Sequence, residues 1–173
     1  ERVYDKNTKF LGVFFNKAWE SIIDLQSFGH DIEASWLIDD TLRVLGLDQH
    51  PEYSAMVTDI AYNISNVAVQ ADGSLMNEQE GTHVDEKRIW WVQAEAMVGF
   101  YNAYQRTGDN LFLERVNRLW AYTKEHIIDR RAGGEWYWSV DGDGIPDQSE
   151  IAGPWKCPYH NSRFCIELIE RMG

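Results

Sequence analysis

Three segments of this sequence gather imidazole, carboxylate and indole groups at spacings that a helix would align. In residues 29–36, His30, Glu33 and Trp36 stand three apart, and such neighbours share a helix face. The cluster offers a titratable ring, a carboxylate and an aromatic floor. Its plainer alternative is a capping histidine, a solvated glutamate and a core tryptophan. In residues 88–95, Trp91 and Glu95 stand four apart, which again shares a face and turns Trp90 toward the core. A glutamate one turn from a tryptophan suits a sugar clamp; core packing beside a surface carboxylate is the alternative. In residues 153–161, Pro154 and Pro158 stiffen a loop that delivers Trp155 and His160 just ahead of a helix. A rigid loop carrying such groups points to function more than a core position does. Two histidines from separate helices can each serve as base or acid near neutral pH, so the matching chemistry is proton transfer.

The composition narrows the substrate. Of 173 residues, 8 are Trp, 8 Tyr and 7 Phe. Sugars present flat C–H faces that lie on rings and rim hydroxyls that want polar partners. A net charge of -12 argues against nucleic-acid phosphates and anionic membranes as partners. No run of apolar residues reaches the length of a membrane span. Cys157 and Cys165 form no zinc spacing and no disulfide framework, so two reduced, half-buried thiols are expected. Residues 141–147 imitate a calcium loop but lack the order of an EF-hand, and a polar connector is the better reading. No phosphate loop, nucleophile elbow or His-Glu-x-x-His metal motif occurs. His50 and His126 read as surface residues, and His83 lies in a polar loop with nothing adjacent to support a role.

The elements that must position these groups follow from periodicity and punctuation. Residues 1–29 alternate enough to predict a β-hairpin turning at 16–18. A helix is expected over 31–45, its apolar side made by Ile32, Trp36, Leu37, Leu42, Val44 and Leu45, with Gly46 ending it. A second runs from Pro51 to about residue 70, followed by a turn at 71–74 and a polar loop at 77–86. A long helix over 87–107 ends at Gly108, and Asp109 caps another over 110–128. A short strand at 135–140, a turn-rich loop at 141–155 and a last helix at 161–172 complete the chain. Helices closed by Gly46, Gly108 and Gly173 carry the His, Glu and Trp clusters, and the helices between them are ordinary amphipathic ones. This predicts an all-α fold: one domain, residues 1–173, forming an arc of three inner and two outer helices of an (α/α)6 barrel. A closed ring takes about twice this length. The first residue is Glu1, so sequence preceding it is expected; were the chain complete, the open edge would drive self-association.

Residues 29–37 (Gly-His-Asp-Ile-Glu-Ala-Ser-Trp-Leu), 90–96 (Trp-Trp-Val-Gln-Ala-Glu-Ala) and 153–161 (Gly-Pro-Trp-Lys-Cys-Pro-Tyr-His-Asn) together resemble the cellobiose 2-epimerases of the N-acylglucosamine 2-epimerase superfamily. The likeness runs through the chain in order and matches the C-terminal half of those enzymes. It implies an (α/α)6 barrel that converts a reducing-end glucose to mannose at C2, turning cellobiose into glucosyl-mannose and lactose into epilactose. It implies His30 and His160 as the acid/base pair, Glu33 and Glu95 as essential carboxylates, and Trp36, Trp91 and Trp155 as sugar contacts. It implies no metal, no nucleotide cofactor, a disaccharide substrate with neither nucleic acid nor membrane as partner, and a cytoplasmic location. A further Arg and a third His of the family fall in its N-terminal half, outside these residues. Three enzymes remain as alternatives: an N-acylglucosamine 2-epimerase or an aldose–ketose isomerase of the same superfamily, the latter sharing the enediolate, and then a glycoside hydrolase using Glu33 and Glu95 as its carboxylate pair. A sugar-binding fragment is the non-enzymatic alternative.

Overall fold

The computed structural model describes residues 2–173. Five helices dominate: α1 (Phe28–Leu45), α2 (Pro51–Val67), α3 (Trp90–Thr107), α4 (Asn110–Tyr122) and α5 (Tyr159–Met172). α3 is the centre. It packs against all four of the others, and its residues Val92 to Phe100 are buried without interruption. Gln93 and Glu95 are buried with the apolar residues of this stretch, because the helix is surrounded. α1 and α5 flank it on one layer, while α2 and α4 back it on the other, joined by the Tyr62–Phe112 ring contact and by Arg115 donating to Ser65. The expected arc of three inner and two outer helices is what forms.

Local signals act where the sequence puts them. Gly46 and Gly108 end α1 and α3 in the left-handed conformation, φ 69° and 70°, where a side chain would be strained. Pro51 opens α2 in its first turn, and the Asp109 side chain accepts from Leu111 N to cap α4. The expected single helix over 110–128 instead ends as one π-helical turn, Thr123–Ile127.

Two strand expectations need correction. Residues 2–29 do not form one hairpin, and Glu1 lies outside the described residues. Isolated bridges join Tyr4 to Leu11 and Phe15 to Ser21, and the Asn16 side chain closes the turn between the latter pair. Adjacent Phe14 and Phe15 break the alternation, and no continuous ladder follows. β1 (Leu25–Ser27) pairs instead with β2 (Glu78–Glu80), which pairs with β3 (His83–Asp85). The segment read as a polar loop is therefore a hairpin, polar because the sheet is largely solvated. β4 (Arg88–Ile89) pairs with β5 (Ser139–Val140), so α3 begins at Trp90 and the strand expected over 135–140 shrinks to its end.

The end helices explain two further differences. Val44 and Leu45, assigned to the apolar side of α1, are exposed, as are Ile166, Ile169 and Met172 on α5. These side chains lie on surfaces that no other described element covers. Cys157 and Cys165 are free as expected but exposed, not half-buried, because one sits in the proline loop and the other on the outer flank of α5.

Candidate active site

α1, α3 and α5 bring the three sequence clusters to one place. The cleft between them encloses about 490 Å³ and is lined by His30, Trp91, Trp155 and His160, together with Asn77, Glu78, Ile89, Trp90 and Trp138. That volume suits a small polar ligand. A hollow of about 510 Å³ lies among residues 2–26 and holds neither His30 nor His160, which both line the tryptophan cleft.

Trp91 is the platform. The His30 ring lies 4.7 Å from its centroid and the His160 ring 5.4 Å from it. Each histidine is fixed through Nδ1. His30 Nδ1 shares a hydrogen bond with Ser27 Oγ at 2.7 Å, and His160 Nδ1 donates to Glu95 Oε1 at 2.7 Å. Neither Nε2 has a protein partner among the described residues. Two imidazoles are thus anchored on one indole, each with its outer nitrogen uncommitted.

Beneath His160 lies a saturated ionic cluster. Glu95, fully buried, also accepts from Arg163 Nη2 at 2.7 Å and from Trp36 Nε1 at 3.1 Å. Arg163 bonds Glu33 as well, and its guanidinium is stacked between the Tyr159 ring (4.5 Å) and the Trp36 ring (4.9 Å). Glu33 therefore pairs with Arg163 rather than with its sequence neighbour His30. Trp36, expected as a sugar contact, is buried under Arg163 and does not line the cleft. Trp155 stands 85% exposed at the cleft mouth. Ligand atoms of Glu33, Glu95 and His160 lie within 4.8 Å of one another, a spacing open to a cation. The Arg163 guanidinium bonds both carboxylates.

The loop bearing Trp155 and His160 is tied down by Lys156. Its side chain is buried, and Nζ donates to Glu135 Oε2 at 2.5 Å and to the Ile151 carbonyl at 2.8 Å. Sequence reasoning missed Arg163, Ser27, Lys156 and Glu78. Arg163 stands three residues after His160, and Ser27 three before His30, spacings that already imply one face. Lys156 and Glu78 carry no such signal.

Gly29 makes the platform possible. A Cβ there would meet Trp91 Cη2 at 2.6 Å and Val92 Cγ2 at 2.7 Å. Gly29→Ala is expected to push the indole off its seat and to cost about 1–3 kcal/mol by overpacking. A lowered denaturation midpoint and altered ring-current shifts of both histidines in NMR spectra would report it.

Asp31, in the first turn of α1, is buried; Oδ1 accepts from Leu11 N at 3.1 Å and Oδ2 has no partner. Burial pushes this carboxyl up to about 7. The fold thus favours the neutral acid. Between the ordinary carboxylate range and about pH 7 the folded chain keeps a proton that the unfolded chain has lost, so this group's contribution to stability falls as pH rises across that window and is flat above it. Asp31→Asn is expected to remove that slope and to stabilise the chain at pH 8 by on the order of 1–3 kcal/mol, as followed by urea unfolding at pH 5 and pH 8.

A sequence profile of the N-acylglucosamine 2-epimerase (GlcNAc 2-epimerase) family matches residues 1–163. The cellobiose 2-epimerase of Ruminococcus albus is 50% identical over 171 residues, which are 98% of this chain and 44% of that protein. That of Dictyoglomus turgidum is 47% identical over 173 residues, again 44% of its length. The solved structure of cellobiose 2-epimerase from Bacillus thermoamylovorans is 63% identical, covers 99% of this chain and 44% of its own, and superposes with a TM-score of 0.97. A D-mannose isomerase structure at 21% identity, covering 95% of this chain and 43% of its own, shares the fold with a TM-score of 0.81. The fold is an arc of an (α/α)6 barrel, and the chain spans less than half the length of the curated relatives it matches.

Proposed function

The chain belongs to the N-acylglucosamine 2-epimerase family, and from that premise we propose that its cleft holds both proton-transfer groups of a carbohydrate 2-epimerase acting on the reducing-end glucose of β-1,4-disaccharides. Cellobiose would become glucosyl-mannose and lactose epilactose. Residues 1–173 are then one domain, the C-terminal half of the barrel, and helices outside them close the ring. The observation that carries the proposal is the pair of Nδ1-anchored histidines resting on Trp91.

Epimerisation at C2 needs the sugar ring open, because the C1 aldehyde acidifies the C2 proton. One imidazole Nε2 takes that proton and leaves a cis-enediolate. The other returns a proton to C2 from the opposite face, giving the epimer. The anchors suit this exchange. Glu95 accepts from His160 Nδ1, so a neutral His160 carries its lone pair on Nε2 and is set as a base. The Ser27 hydroxyl can donate to His30 Nδ1 or accept from it, so His30 can present Nε2 with or without a proton. The reaction runs in both directions, and a group with both tautomers available serves either. Trp91 and Trp155 would lie on sugar faces and thin the water around the enediolate. Glu33, Glu95 and Trp36 act in this reading through Arg163 and His160 rather than by touching the sugar. Arg163 spends its charge on the two carboxylates, so additional positive charge for the enediolate comes from imidazolium and from residues completing the ring.

No described helix is long and apolar enough to cross a membrane. Left uncovered, the exposed apolar residues of α1 and α5 are expected to bring copies of the chain together, seen as a mass that rises with concentration in light scattering.

The test is proton NMR of cellobiose in D2O, with this chain and with the chain completed by the remaining barrel helices. Deuterium at C2 together with a mannose-type anomeric signal supports the proposal. Free glucose would make Glu33 and Glu95 a hydrolytic pair, and a fructosyl product would make the protein an aldose–ketose isomerase. No change in the sugar with either protein leaves a binding role.

A further inference from the structure

Glu78 is a cleft carboxylate without an occupation. It lines the cleft beside His30 and Asn77, and its side chain makes no hydrogen bond or ion pair among the described residues. The carboxylates of the cluster under His160 and the one facing Glu78 across the hairpin are engaged. Glu33 and Glu95 hold Arg163, and Asp85 accepts from Asn77 Nδ2 at 2.9 Å and from Lys87 N at 3.1 Å. The sheet aims Glu78 at the site. Glu78 stands directly opposite Ser27 in the β1–β2 register, and directly opposed residues project from the same face. Ser27 is the anchor of His30 Nδ1. One cross-strand pair thus supplies the group that holds His30 and a free carboxylate next to it.

We propose that Glu78 accepts a hydroxyl of the bound sugar on the His30 side of the cleft, making it a residue that sets substrate binding and orientation. The inference rests on the reading of the cleft as a sugar site. An ionised carboxylate only accepts hydrogen bonds, and a sugar hydroxyl is the donor such a pocket receives. A charge-assisted bond of this kind is among the stronger ones available. Burial and the facing Asp85 push the Glu78 carboxyl up, while His30 pulls it down. A hydroxyl donated into the cleft would relieve the like-charge contact with Asp85.

The experiment is a titration of this chain, completed by the remaining barrel helices, with cellobiose, followed by tryptophan fluorescence, since Trp91, Trp138 and Trp155 line the same cleft. Glu78→Gln, which keeps the shape and removes the charge, is expected to bind about tenfold more weakly, with unchanged far-UV circular dichroism. The titration is then repeated with cellobiose analogues each lacking one hydroxyl. One analogue is expected to lose about tenfold on the unaltered chain and nothing further on Glu78→Gln, because the partner is already gone. Equal affinity of Glu78→Gln and the unaltered chain for cellobiose overturns the proposal. So does an identical profile of losses across the analogues in both proteins. An unaltered chain that binds none of these sugars overturns the sugar-site reading itself, and this inference with it.

Discussion

Replacing His160 with alanine is expected to lower C2 epimerisation by about 10²–10⁴-fold, the range that a positioned acid/base group contributes. The ring sits on Trp91 with Nδ1 tied to Glu95, so no neighbouring group can take its place at the cleft. Folding should survive the change. Glu95 keeps Arg163 and Trp36 as partners, and His160 lies at the cleft surface rather than in the core. His30→Ala is expected to do the same from the other side, with the Ser27 hydroxyl freed. The two losses should not add, because both protons belong to one reaction path. The measurement is deuterium entry at C2 in the ring-completed protein, with circular dichroism as the control for folding. Substantial epimerisation by either variant would end the two-histidine mechanism.

Arg163→Met is expected to cost about 3–5 kcal/mol, the scale on which removing one partner of a buried ionic cluster leaves the other charges uncompensated. Methionine roughly fills the space between Tyr159 and Trp36 but leaves Glu33 and Glu95 facing each other at close range. Lysine at the same position keeps a charge without the planar fork that bonds two carboxylates and stacks on two rings, so Arg163→Lys should recover only part of the loss. Adding Glu33→Gln to Arg163→Met should restore stability, because one of the two stranded charges is gone. Urea unfolding of the three variants decides the matter. An Arg163→Met chain as stable as the original would show that the cluster contributes nothing to holding α5 on α1 and α3.

The histidines and Trp91 are legible in the sequence because helical spacing is short-range. Residues three or four apart must share a face whatever the rest of the chain does, and Gly46 and Gly108 mark helix ends by backbone sterics alone. The inner and outer alternation follows from which helices carry chemistry. What a residue meets across the fold is not legible in this way. Spacing places Glu33 beside His30, yet Glu33 turns to Arg163, 130 positions away. Trp36 has the setting of a sugar platform and becomes the underside of a guanidinium. Segment 77–86 reads as a loop because its ladder partner, β1, lies far upstream and its own side chains are polar.

By itself the sequence determined the helices, their caps, the family and the identity of the two histidines that meet in the cleft, since these depend on local backbone preference and on residue type. Only the tertiary structure decided which side chains pair with one another, which tryptophan supports both histidines and which cleft carboxylate is left without a partner. Those outcomes depend on distances between elements, fixed where Gly29 lets α1 settle onto Trp91 and where Arg163 draws α5 down onto two buried carboxylates.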